Sequence, residues 1–310
     1  MNIQLLIVDP QNDFVTKDSG AEIKLALQKQ GMSKSEAEGL VDPFSRKGSL
    51  VVDGAEGDMK RLAAFINRVG PKLDDIHVTM DSHQSVGIER PTWWKNAKTG
   101  IAPAPFTVLG VDSKNRIVEM RFDNGAFLST DIEITTVKPS RYARSRKYLQ
   151  ALTAGNRYPH VIWPVHCVVG TWGWSVVPEV SDALCKWERE QSMRVDYVVK
   201  GNNPWTEHFS GIKAEVPDPT DPTTQVNTGL IQTLETADVI VITGEALSHC
   251  VNSTVTDISS LFSDTKYVQK LVLIEDCSSS VGGFEWMGKE FVTRMTGLGM
   301  KVSNSVDFLA

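Results

Sequence analysis

Six short apolar runs recur along the chain: IQLLIV (3–8), IHVTM (76–80), VDYVV (195–199), VIVIT (239–243), LVLIE (271–275) and MKVSN (300–304). Each is short, and most are rich in β-branched residues, so each reads as a strand rather than a buried helix. Between them the apolar residues return at helical spacing over 55–69, 178–191, 227–236, 250–262 and 284–297. This alternation implies right-handed βαβ crossovers and a mostly parallel sheet covered on both faces. The expected fold class is α/β.

Two stretches break the rhythm. Residues 17–50 read as a polar helical insertion, and residues 87–155, with their Pro and Trp and candidate strands at 106–111, 116–120 and 132–137, are long enough for a subdomain or lid. The segment VPDPTDPTTQVNTG (216–229) reads as a surface loop feeding a helix capped by Asn227 or Thr228.

Composition narrows the class. With 310 residues, 41% hydrophobic, 23% charged and a net charge of −6, the chain resembles an ordinary soluble globular protein and gives no reason to expect nucleic acid. No apolar run approaches membrane-spanning length and the start MNIQLLIVDP has no basic region, so no membrane partner and a cytoplasmic location are expected. Four cysteines are too few for a disulfide scaffold at this size, and no CxxC pair marks a structural zinc site. Any special thiol is therefore expected to be catalytic.

Ligands of an open parallel sheet bind outside the carboxyl ends of its strands. Asp9 follows the first strand, Asp81 and His83 the second and Lys200 the third, while Cys250 follows the fourth by one turn. Any one of these reads equally as a solvated loop charge, or for the cysteine as a small buried hydrophobe. Their joint placement suggests more. Asp9 would take the proton of the Cys250 thiol, and the Lys200 ammonium would favour the thiolate, as would a place near a helix N-terminus. Such a thiolate attacks an amide or ester carbonyl and passes through a thioester. The turn GEALSHC offers N–H groups of Ala246 and Cys250 for the developing oxyanion.

A second group lies in DSH (81–83) and WPVHC (163–167). Asp81 and His83, two apart in an extended segment, point the same way and are able to share a cation, with His166 as a third ligand. Asp/His/His with open positions suits Zn²⁺, Fe²⁺ or Mn²⁺. For His166 a satisfied structural histidine is the competing reading. His77, His160 and His208 read as structural or surface residues, and His249 ranks below Asp9 as a base because neighbouring residues usually point apart.

Taken in order, IVDPQNDF with Asp9 and Phe14, VTMDSHQ, WPVHCVVGTWG, VVKG and GEALSHCV resemble the nicotinamidases of the isochorismatase-like cysteine hydrolase superfamily. The resemblance implies a three-layer α/β/α sandwich around a six-stranded, mostly parallel sheet, formed by the whole of 1–310 as one domain with insertions at about 17–50 and 87–155. It implies a catalytic triad of Asp9, Lys200 and Cys250 and an oxyanion hole of Ala246 and Cys250 set by a cis peptide between Glu245 and Ala246. It also implies a divalent metal, zinc or alternatively iron or manganese, on Asp81, His83 and His166, with Phe14 and Trp163 flanking a pyridine ring. The sequence departs from the family pattern in two places. Gln84, Ser85 or Glu89 stands where a further histidine often follows the Asp-x-His pair, and Ser248 stands where an acid is common. Trp93 and Trp94 read as lid aromatics or as subdomain core.

The activity expected is metal-assisted hydrolysis of nicotinamide to nicotinate and ammonia, feeding pyridine nucleotide salvage, in a family whose members often form a homo-oligomer. Three alternatives stay open: the same chemistry on another small amide, carbamoyl or ureido compound, attack by a metal-bound hydroxide without the thiol, and a non-catalytic metabolite-binding or interaction protein on the same scaffold.

Overall fold

The computed structural model describes residues 1–18, 20–41, 46–123, 126–155 and 158–310. Its strands are β1 (Ile3–Val8), β2 (Asp75–Asp81), β3 (Trp94–Asn96), β4 (Val108–Val111), β5 (Ile117–Asp123), β6 (Ala126–Thr136), β7 (His160–Val161), β8 (Asp196–Lys200), β9 (Val239–Gly244), β10 (Leu271–Ile274) and β11 (Lys301–Ser303). All six expected strands are present. They form one sheet in the order β11-β10-β9-β1-β2-β8, every neighbouring pair parallel.

The chain runs from β1 outward to β2 and β8, then returns to the far side of β1 for β9, β10 and β11. Right-handed crossovers therefore place helices Ala55–Val69 and Pro178–Gln191 on one face and Thr228–Thr236, Asn252–Leu261 and Glu285–Gly297 on the other. The result is a three-layer α/β/α sandwich. Ala55–Val69 shows why the stack holds: Met59, Leu62, Phe65, Ile66 and Val69 form one buried stripe, each side chain contributing about 1.5–3 kcal/mol by leaving water. That helix packs on Pro178–Gln191, which buries Val180, Ala183, Leu184 and Trp187. Asn227 caps the next helix, its side chain accepting from the N–H of Leu230 at 3.1 Å.

At the end of β9 the backbone turns on Gly244, whose φ is +110° and where a Cβ would lie 2.0 Å from the carbonyl oxygen of Val8. Only glycine fits there. One residue further on, the Glu245–Ala246 peptide bond is cis, as expected.

The 17–50 segment contains two helices, Ala21–Lys29 and Lys34–Val41; residues 19 and 42–45 of it lie outside the described residues. The 87–155 segment supplies most of a second, antiparallel sheet, β3-β6-β5-β4-β7. Two features there differ from expectation, and a third decides between two readings. The third strand starts at Ala126 rather than 132, with 124–125 outside the described residues, because its first half is held by cross-strand pairing to β5 and not by an apolar rhythm. A helix, Tyr142–Ala154, was not expected; it buries Ser145, Tyr148, Leu149 and Leu152 against the sheet. Trp93 and Trp94 are not lid aromatics. Both are fully buried in this smaller core, their indole N–H groups donating to Ser145 Oγ at 3.0 Å and the Ile88 carbonyl at 2.6 Å. No helix among the described residues is long and apolar enough to cross a membrane.

Candidate active site

Asp81 and Lys200 are register partners at the carboxyl ends of β2 and β8, and Asp9 follows β1 with a φ of +46°. The Asp9 N–H donates to the Thr79 carbonyl at 3.1 Å, and Thr79 Oγ1 donates to Asp9 Oδ1 at 2.6 Å. The Lys200 ammonium is the hub. Its Nζ lies 2.9 Å from Asp9 Oδ2, 3.1 Å from Asp81 Oδ1, 3.1 Å from the His208 carbonyl oxygen and 3.8 Å from Cys250 Sγ. The structure thus brings Asp9, Asp81, Lys200 and Cys250 into one buried cluster.

Burial opposes the charge on Lys200, but Asp81, Asp9 and Cys250 outweigh it and hold the amine well above its usual range. Burial likewise pushes Asp9 up, against the pull of Lys200. For Cys250 burial again dominates and raises the thiol well above its ordinary value, with Lys200 opposing and Asp9 in hydrogen-bonding reach. Burial therefore favours the thiol form of the resting sulfur, with Asp9 beside it. Cys250 does lie near a helix N-terminus, in a single π-turn, Leu247–Val251, directly ahead of the helix that begins at Asn252, but burial outweighs the support this gives a thiolate.

Asp81, His83 and His166 also converge, with one ligating atom from each within 4.8 Å of the others. Asp81 Oδ2 lies 2.9 Å from His83 Nε2 and 3.2 Å from His166 Nε2. Glu89 Oε1 stands 3.3 Å behind His83 Nδ1, an acceptor for that N–H, while His166 Nδ1 faces both the Pro164 carbonyl at 2.8 Å and an Arg90 nitrogen at 2.8 Å. Two Nε2 atoms and a carboxylate oxygen thus face one another, an arrangement a cation completes. Burial lowers the pKa of His83 and takes that of His166 down to about 4, which keeps both rings in the neutral form a metal needs. The donor set fits a divalent ion. Gln84 and Ser85 are exposed and stand apart from it, whereas Glu89 is buried against His83.

The two groups share one pocket, lined by Phe14, Leu50, Asp81, Trp163, His166, Lys200, Glu207, Phe209, Ala246, His249, Cys250 and Val281. The Phe14 ring lies 5.3 Å from that of His166, and Trp163 meets His249 edge-on at 5.3 Å. Its walls are largely aromatic and its floor carries the charged cluster, which suits a small planar molecule with one polar edge.

No protein-family model matches the sequence, and no curated protein matches it. Among solved structures the chain is similar to the yeast nicotinamidase Pnc1p bound to the inhibitor nicotinaldehyde, with 17% identity and a TM-score of 0.57 over 97% of this chain and 99% of that one. It is similar to the Acinetobacter baumanii nicotinamidase/pyrazinamidase at 17% identity and a TM-score of 0.55, over 99% and 98% of the two chains. A third similar structure is the pyrazinamidase of Pyrococcus horikoshii in complex with zinc, at 15% identity and a TM-score of 0.50, over 98% and 99%. The fold is that of the nicotinamidases.

On this nicotinamidase fold several site residues carry no local sequence signal. Arg90 is fully buried; its Nε pairs with Glu89 Oε1 at 2.9 Å, and its other nitrogens reach the Pro164 carbonyl at 2.6 Å, the His166 carbonyl at 3.0 Å and His166 Nδ1 at 2.8 Å. Asp13 accepts from the Cys167 N–H at 2.7 Å and the Ser49 N–H at 3.0 Å, tying the end of the 17–50 insertion to the turn that carries His166. That tie brings Leu50 into the pocket wall. Glu207 is a buried carboxyl whose pKa burial and its acidic neighbours Glu89 and Asp81 push up to about 8. His77 and His160 are structural as expected, bonded to Asp196 at 2.9 Å and the Ile88 carbonyl at 2.9 Å. His208 is also structural, yet its carbonyl holds Lys200. His249 lines the pocket beside Cys250 rather than pointing away from it.

Proposed function

We propose that the chain is a cysteine amidohydrolase, and specifically a nicotinamidase that converts nicotinamide and water to nicotinate and ammonia. The observation that carries this reading is the single buried ammonium of Lys200, in contact at once with Asp9, Asp81 and the Cys250 sulfur. A binding protein has no use for a desolvated acid, amine and thiol at one point, since each is costly to bury. The likeness to nicotinamidase structures supports the choice of amide.

In this reading Asp9 takes the thiol proton as Sγ of Cys250 attacks the carboxamide carbon. The N–H groups of Ala246 and Cys250 receive the oxyanion, a contribution typically of about 3–4 kcal/mol. The proton on Asp9 passes to the departing nitrogen, which leaves as ammonia, and a thioester remains. Asp9 then takes a proton from water as its oxygen attacks the thioester, and nicotinate departs as the thiol is restored. Lys200 stays charged throughout and holds Asp9 in place. Phe14 and Trp163 orient the ring. A divalent ion, zinc by preference, held by Asp81, His83 and His166 would supply a Lewis-acidic anchor for the ring nitrogen. Such a reaction would feed pyridine nucleotide salvage.

The test is ammonia release from nicotinamide by purified protein, beside Cys250→Ala and a chelator-treated sample. Turnover lost in the variant and reduced by the chelator is expected; a folded, zinc-loaded wild type that releases no ammonia would overturn the assignment.

A further inference from the structure

Ser248 Oγ accepts from the N–H of Val281 at 3.1 Å and lies 2.9 Å from Nδ1 of His249. Ser248 is fully buried, and its hydroxyl has no other acceptor in reach among the described residues. A hydroxyl has one hydrogen to donate, and leaving it unpaired in the interior is costly. That hydrogen therefore goes to His249 Nδ1, which must be the bare nitrogen, and the neutral ring carries its own hydrogen on Nε2.

The ring is held firmly. It stacks on Tyr158 at 5.4 Å and 26°, and meets Trp163 at 5.3 Å and Phe284 at 4.9 Å edge-on. Its Nε2 has no protein partner among the described residues, and the side chain lines the pocket of Cys250. Burial takes its pKa down to about 3, so it stays neutral at physiological pH.

We infer that His249 is a specificity-determining residue that presents a fixed Nε2–H donor to the substrate, and that Ser248 is the positioning residue that sets this tautomer. The inference rests on the amidase reading and narrows its substrate class. The favoured substrate turns a carbonyl lone pair toward the His249 wall. A ureido compound that puts an N–H there would set donor against donor and leave both unpaired.

Two measurements on the full-length, zinc-loaded protein test it. Long-range ¹H–¹⁵N correlation spectra report the tautomer directly: wild type is expected as Nε2–H, Ser248→Asp as Nδ1–H, and Ser248→Ala, which adds no buried charge, as a mixture. Steady-state kinetics then compare nicotinamide with 3-pyridylurea. In Ser248→Asp and His249→Phe the KM for nicotinamide is expected to rise about three- to tenfold, with a smaller effect on kcat, and His249→Gln, which keeps an N–H donor, should recover most of it. The urea should gain on nicotinamide in Ser248→Asp. An Nδ1–H wild type, or a His249→Phe variant with unchanged KM, overturns the inference while leaving the amidase reading intact. A wild type with the expected tautomer that hydrolyses neither compound removes the amidase reading, and the substrate class with it.

Discussion

Lys200 Nζ lies 2.9 Å from Asp9 Oδ2, and the two side chains are sealed from solvent together. Neither charge is tolerable there alone. The pair and Asp81 form a buried unit in which loss of one member leaves the others uncompensated.

Replacing Lys200 by Met should therefore abolish activity and also cost about 3–5 kcal/mol of stability, because Asp9 and Asp81 lose their shared cation. Urea denaturation of wild type, Lys200→Met and the double variant with Asp9→Asn checks this. The double variant should regain part of the stability and none of the activity.

Arg90 touches no pocket surface, yet it braces Glu89 and the His166 turn. Arg90→Leu should weaken metal binding about 10–100-fold, the range seen when outer-shell partners are lost. Competition with a chromogenic chelator measures it, and an affinity equal to wild type would show that the two histidines hold their orientation unaided.

Burial takes the pKa of His160 down to about 4 from an ordinary 6.5. The unfolded chain thus binds a proton that the folded one refuses, so its stabilising effect is full above about pH 6.5 and is lost as pH falls toward 4. The slope reaches about 1.4 kcal/mol per pH unit for each such proton. Urea midpoints at pH 7, 5.5 and 4.5 should fall in that order, and His160→Gln should flatten the trend.

Trp94 fills the smaller core and is fully buried. Trp94→Ala should cost about 3–5 kcal/mol. Since the indole is not part of the pocket lining, nicotinamide KM measured below the melting temperature should move less than stability does.

The sequence by itself determined the strands of the parallel sheet, the helices between them, and the delivery of Asp9, Asp81, Lys200 and Cys250 to strand ends. These are local properties: β-branched runs, helical spacing, and the residue just past each run carry them. Only the tertiary structure decided what packs against those ends. Leu50 enters the pocket because Asp13 ties Ser49 to Cys167 across more than a hundred residues. Glu89 and Arg90 stand behind the metal group although their segment looked like a lid. Trp93 and Trp94 went to a core instead, since a second sheet was there to cover them. The proton on His249 is fixed by Ser248 and by Val281, thirty-three residues beyond it. Such contacts join segments with no shared periodicity. Their partners are chosen by burial and by the need to pair every buried polar group, and both are known only once the chain has closed on itself.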